Sequence, residues 1–156
     1  MIKMKQIILS ATLATAVAVP VWAHIERSEP LQSLRQSYFA LLGMTLSPMG
    51  DMVKGEIEWD EARFARWAQD LAAVASFEVE RGFAPGSEEG KTRAKPEIWL
   101  DMDDFNSKLS DLRTQSARLA EVAGGGDEGA TKAQFGATAK TCKACHDQYK
   151  AKDYLY

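Results

Sequence analysis

Cys142-Lys143-Ala144-Cys145-His146, near the C-terminus, constrains this 156-residue chain more than any other stretch. C-x-x-C-H is the spacing at which c-type haem is attached. Two thiols three positions apart reach the two vinyl groups of one porphyrin. The adjacent imidazole is then carried beneath the metal, where a proximal histidine is a standard iron ligand. On a helix Cys142 and His146 are four apart and share a face, so one surface presents both ring and iron ligand. Other chemistries explain less of the motif. A thioredoxin-like C-x-x-C belongs beside a βαβ pattern, and no strand-like alternation occurs here. Zinc needs about four N or S ligands, and beyond the cluster the chain has no Cys and only His24. A Cys142–Cys145 disulfide would leave His146 without a role.

The N-terminus agrees from an independent direction. Lys3 and Lys5 precede an apolar run from Ile7 to Val19, then Pro20, and Val21-Trp22-Ala23 supplies small residues where a signal peptidase reads. Residues 1–23 are therefore expected to be a cleaved signal peptide. The run is shorter than the roughly 18 residues of a spanning helix. Residues 24–156 are then a soluble, periplasmic domain, the compartment in which haem c is joined. Losing Lys3 and Lys5 moves the formal charge from −3 to −5. That acidity argues against nucleic acid or a membrane surface as partner, and the remaining length suits a single domain.

Four periodic segments organise the domain. The first runs from about Ser28 to Lys54, with Leu31, Leu34, Tyr38, Leu41 and Leu42 at three- and four-residue steps and Pro48 expected to kink or loosen its end. The second starts at Asp60 as N-cap, places Phe64, Trp67, Leu71 and Val74 on one stripe, and ends before Gly82. The third follows Pro96, carries Phe105, Leu109, Leu112, Leu119 and Val122, and stops at Gly124-Gly125-Gly126. The fourth, about Ala130 to Ala151, puts Phe135, Cys142, Cys145, His146 and Tyr149 inward. Short turns at 55–59 and 124–129 and a longer crossover at 82–98 predict an all-α, up-down-up-down antiparallel four-helix bundle, whose cofactor sites lie between facing helices.

These residues resemble the cytochrome c′ family, bacterial haem proteins with haem near the C-terminus of a four-helix bundle. The resemblance rests on Leu34-Arg35-Gln36-Ser37, Met52-Val53-Lys54-Gly55, Pro96-Glu97-Ile98-Trp99 and Thr141 through Tyr149 around the C-x-x-C-H motif. It implies one covalent haem c held by Cys142 and Cys145, with His146 as the single strong iron ligand. Arg35 and Gln36 match first-helix positions at the haem edge and propionates, where a guanidinium pairs bidentately with a carboxylate; otherwise Arg35 is a solvated surface charge. Thr92 matches a haem-edge position less well, across an insertion. Phe83 and Trp99 are candidates for the pocket wall or for ordinary core.

Two positions depart from the commonest pattern. Phe39 stands where many members carry an aliphatic residue over the open iron face. It keeps that side apolar, and its bulk should exclude water and slow small ligands. Lys150, four residues after His146 where Arg is frequent, keeps a proximal positive charge but loses a flat guanidinium. The sixth iron position decides the function. Methionine there would make a low-spin, six-coordinate electron carrier of the cytochrome c556 type, and Met44, Met49, Met52 and Met102 are the available thioethers. None falls at the Phe39 position, and each reads as core packing. The favoured expectation is a five-coordinate, high-spin haem that takes NO and CO, binds dioxygen poorly for want of a donor, and can transfer electrons to an unidentified redox partner. An enzyme would need polar distal groups or a second metal. The resemblance also implies a homodimer through the first two helices, with Trp59, Met49 and Met52 as candidates for an exposed apolar patch.

Overall fold

The computed structural model describes residues 30–154; the expected signal peptide, His24 and the helix start at Ser28 lie outside them. The elements are α1 (Pro30–Lys54), α2 (Glu61–Ala75), a 3₁₀ turn (Val79–Phe83), α3 (Glu97–Leu100), α4 (Met102–Ala123) and α5 (Glu128–Tyr149). The four long helices form the expected up-down-up-down bundle, with α1 packed on α2, α2 on α4 and α4 on α5.

Local chemistry sets the ends. Asp60, Asp101 and Asp127 each turn a carboxylate onto the N–H three residues ahead, at 2.8 Å to Arg63, 3.1 Å to Asp104 and 2.8 Å to Ala130, and so satisfy orphan donors at the starts of α2, α4 and α5. Gly55 and Gly126, at φ 78° and 79°, make the left-handed turns after α1 and α4 that a side chain would oppose.

The bundle is solid at one end. There Met49, Met52, Phe64, Leu119, Ala123 and Phe135 are buried. Phe64 and Phe135 meet edge to face with centroids 6.1 Å apart, and the Phe135 ring lies beside Gly50 of α1, 3.5 Å from where a Cβ would stand. Towards the other end the N-terminal half of α1 and the C-terminal half of α5 stand apart around a cavity.

Several boundaries differ from the sequence reading. The end of α1 at Lys54 does not, and Pro48 lies inside the helix; proline forfeits only one ladder bond, and burial of Met49 and Met52 holds the last turn. The second helix stops at Ala75 rather than just before Gly82. Arg113 reaches across from α4 to donate to the carbonyls of Ala75 (3.2 Å) and Phe77 (3.3 Å), satisfying acceptors at the end that the helix leaves open. The third segment divides at Asp101, whose backbone is non-helical at φ −136°, ψ 68°. The last helix ends at Tyr149, because Lys150 pairs in antiparallel fashion with Ala94 instead of extending it. On α1, Leu41 faces solvent at 49 % exposure while Gln32 and Arg35 are buried.

Candidate functional site

The cavity, about 670 Å³, is walled by α1 on one side and by α5 on the other, a volume within the roughly 300–1,000 Å³ of small-molecule sites. Phe39, Ala40, Leu42, Gly43 and Leu46 line it from α1, steps of four and three residues bringing Phe39, Gly43 and Leu46 to one face. Leu71, Phe105, Leu109 and Leu112 supply the apolar floor. Thr141, Cys142, Cys145, His146 and Tyr149 form the opposite wall. Gly43 matters for space: a methyl group built on it would meet no atom within 4 Å.

Cys142 and Cys145 are free thiols, half-buried against the cavity. Burial raises the Cys142 thiol, and burial raises that of Cys145 to about 11 against a smaller lowering by Lys108. His146 lines the same wall but is exposed, more open than its place on the helix face implied. Its imidazole is held below the ordinary range, first by desolvation and then by the positive charges of Lys150 and Arg93, with Asp147 opposing. The neutral ring, the form that ligates metal, is thereby favoured.

Arg35, Gln36, Phe39, Thr92, Lys150 and Phe83 also reach this cavity, whereas Trp99 does not. Arg35 is buried and its guanidinium is shared among the carbonyl of Gly82, the hydroxyl of Ser87 at 3.1 Å and the carbonyl of Ser87 at 2.9 Å. It also lies over the rings of Phe83 and Trp99, 5.2 and 5.6 Å from their centroids, a cation–π arrangement. It is no solvated surface charge. Gly82 permits this: a Cβ there would stand 2.9 Å from Arg35 Cγ. Gln36 is exposed at the rim and donates to the Lys91 carbonyl at 3.3 Å. Thr92 is buried, and its hydroxyl accepts from the Ala94 N–H at 3.0 Å. Lys150 borders the mouth beside His146, and Phe83 lines the interior. Trp99 stands behind Phe83, with its indole N–H donated to the Ala84 carbonyl at 3.1 Å.

The methionines are elsewhere. Met49 and Met52 are core, as expected, but Met44 is 73 % exposed and is not a packing residue. None of the four lines the cavity. The proposed surface patch is corrected by the same burial, since Met49 and Met52 cannot contribute to it, and Trp59 is half-buried against Phe64 at 4.9 Å between centroids. Leu41 and Met44 are exposed on α1 away from the cavity, while Phe39, 38 % exposed, stands at its edge.

Sequence reasoning missed Gln32, Arg93 and Lys108. Gln32 is buried one turn before Gln36 and donates to the same Lys91 carbonyl. Arg93 donates to the carbonyls of Ala151, at 3.0 Å, and Lys152, pinning the chain that follows His146. Lys108 enters the cavity from α4 with Asp104 at 3.4 Å. Its position next to Leu109 and one turn from Phe105 and Leu112 was the available signal, a cation inside an apolar stripe.

These side chains fit a covalently held haem. Two thiols at attachment spacing border a cavity of adequate volume, an imidazole stands beside them, the interior is apolar and basic groups occupy the rim. Cys142, Cys145 and His146 would hold the group from α5.

The cytochrome c′ family model matches residues 31–150. Cytochrome c′ of Halomonas halodenitrificans is 37 % identical over 123 residues, covering 75 % of this chain and 92 % of the relative. The solved cytochrome c prime of Shewanella frigidimarina superposes with a TM-score of 0.76 at 36 % identity, over 79 % of this chain and 95 % of that one. A nitric oxide complex of a cytochrome c prime variant from Alcaligenes xylosoxidans superposes at 0.72 with 32 % identity, over 80 % and 96 %.

Proposed function

This chain belongs to the cytochrome c′ family, whose members carry one covalent c-type haem per chain, and on that premise we propose a periplasmic gas-binding and electron-transfer protein with five-coordinate, high-spin iron. Residues 1–23 serve as its signal peptide and residues 24–156 as the mature domain. Among the described residues no helix is long and apolar enough to cross a membrane.

One observation carries the reading: from Phe39 to Leu46 the α1 residues that line the cavity are Phe39, Ala40, Leu42, Gly43 and Leu46, with no thioether and no hydrogen-bond donor among their side chains, and the donors Gln32, Arg35 and Gln36 line it only nearer the helix start. A haem held there supplies an iron that changes between ferric and ferrous and accepts a diatomic ligand. Cys142 and Cys145 fix the ring to α5. His146 provides the proximal nitrogen, with Lys150 alongside. Arg35, Gln36 and Thr92 shape the edge nearest the crossover, and Phe39 and its neighbours exclude water from the opposite face. Without a donor on the Phe39–Leu46 stretch, NO and CO are preferred over dioxygen. The NO complex of the Alcaligenes xylosoxidans relative supports the choice of ligand. The six-coordinate alternative is disfavoured because Met44, Met49, Met52 and Met102 all lie outside the cavity.

Two measurements test this. The intact mass should equal residues 24–156 plus one haem that acid-acetone does not extract, and the resting ferric spectrum should be high-spin. A low-spin spectrum with a thioether band would refute the open sixth position. Phe39→Ala should then accelerate CO association; an unchanged rate would remove Phe39 from the face above the iron.

A further inference from the structure

The formal charge of the whole chain is −3, yet basic side chains gather where the crossover meets the end of α5. The Ala94–Lys150 pairing, with Lys95 N–H to Tyr149 carbonyl at 3.0 Å and Ala151 N–H to Arg93 carbonyl at 2.8 Å, lays Lys91, Arg93 and Lys95 alongside Lys150 and Lys152. Lys143 stands one turn before His146 on α5. Carboxylates in the same region are Glu88, Glu89, Glu97, Asp147 and Asp153, with Asp101 and Asp104 where α4 meets the end of α5, Asp104 accepting from the Tyr149 hydroxyl at 2.6 Å and paired with Lys108 at 3.4 Å. Asp147 is taken by Lys143 at 2.5 Å and Glu97 by Lys95 at 3.8 Å. Lys91, Lys150 and Lys152 are exposed, and among the described residues no carboxylate oxygen comes within 4.0 Å of their ammonium groups.

Arg93 and Lys150 of this rim line the cavity beside His146, which is open to solvent, and the other lysines extend the rim outward from them. The acidic residues of Glu56–Glu61, Asp70, Glu78, Asp111, Glu121 and Asp127–Glu128 belong to the other loops and helix faces. A negatively charged partner is therefore drawn towards this rim. Fields act over about 10 Å at 0.1 M salt and 30 Å at 0.01 M, so a local rim, rather than net charge, governs a close approach at ordinary ionic strength.

We propose that the rim formed by Lys91, Arg93, Lys95, Lys143, Lys150 and Lys152 is the docking surface for an acidic electron-transfer protein, which exchanges its electron with the haem through the end of α5. This rests on haem attachment at Cys142 and Cys145. Docking there brings the partner against the wall that carries His146, the shortest approach that the open side offers.

Small redox complexes of opposite charge read the local field. The ferrous holoprotein gives one electron to ferricyanide or to tris(phenanthroline)cobalt(III), each reduced by one electron as the haem becomes ferric. Raising salt from 10 to 200 mM should slow ferricyanide by roughly threefold or more and speed the cobalt complex; the net charge alone demands the reverse, and that result would overturn the proposal. The double variant K91E/K152E, both outside the cavity wall's apolar face and haem attachment, should abolish or invert the ferricyanide slope with an unchanged visible spectrum. An unaltered slope also overturns it. Phosphatidylglycerol vesicles should not sediment the holoprotein at 10 mM salt; sedimentation lost in K91E/K152E would assign the rim to lipid and refute a protein partner. Pigment that acid-acetone extracts before any of these measurements would refute the attachment itself, a failure separable from that of docking.

Discussion

Tyr38 is 4 % exposed on α1, and its hydroxyl faces the Ala75 carbonyl at 3.4 Å. Burial pushes its phenol from 10.0 up to about 12, with Arg113 opposing the rise. In the unfolded chain the phenol ionises near 10, whereas the folded protein keeps the proton. The contribution to stability is therefore whole below pH 10 and is lost as pH rises towards 12, on the order of 2 kcal/mol across that window. Tyr38→Phe should leave stability at pH 7 nearly unchanged, because Arg113 still donates to the Ala75 carbonyl at 3.2 Å. Urea unfolding of both proteins at pH 9 and pH 11.5 checks this: wild type should lose more than the variant, and equal losses would place the phenol in solvent. Arg35 makes a comparable point about single residues. The sequence marks a cation four residues before Phe39, but its partners Gly82 and Ser87 are far along the chain, and only the fold turns it from a surface charge into the strut of the crossover.

Helix starts depend on three aspartates, and Asp101 tests the device where it was least visible. Asp101→Ala removes the acceptor of the Asp104 N–H and should cost about 0.5–2 kcal/mol, whereas Asp101→Asn should retain most of the stability; chemical denaturation of the two variants measures the difference. The four long helices were legible because apolar residues recur every three or four positions, and the Asp60 cap because it directly precedes such a run. The end of α2 was not, since it is set by Arg113 from another helix and not by a local stop signal. The division at Asp101 was hidden because Pro96 already offered a start one turn earlier. Lys150 looked helical because the strand-like partner that takes it, Ala94, comes from the crossover. The haem motif was readable in full because its chemistry is local. Lys108 and Arg93 were not, because their roles come from what the bundle sets opposite them.

On the scale of the molecule, α1 has two faces with different work. Phe39, Gly43 and Leu46 line the cavity, while Leu41 at 49 % and Met44 at 73 % exposure point away from it. An apolar pair that contributes to neither core nor cavity suits the homodimer implied by the family likeness, with α1 as its centre. A stable pair needs about 1,200–2,000 Å² of buried surface, more than two side chains supply, so the flanking surfaces of α1 and α2 must join them. Met44→Glu would place a charge at the centre of that contact and cost the most if Met44 is fully desolvated there. Sedimentation equilibrium should show two chains for the wild type and one for Met44→Glu, with the same visible spectrum in both because Met44 lies outside the cavity. A wild type that sediments as a single chain would leave Leu41 and Met44 as solvated surface residues. A variant that remains paired would move the interface off α1. Because the cationic rim sits on the crossover and the end of α5, a pair formed through the outer face of α1 would leave the rim open in both copies.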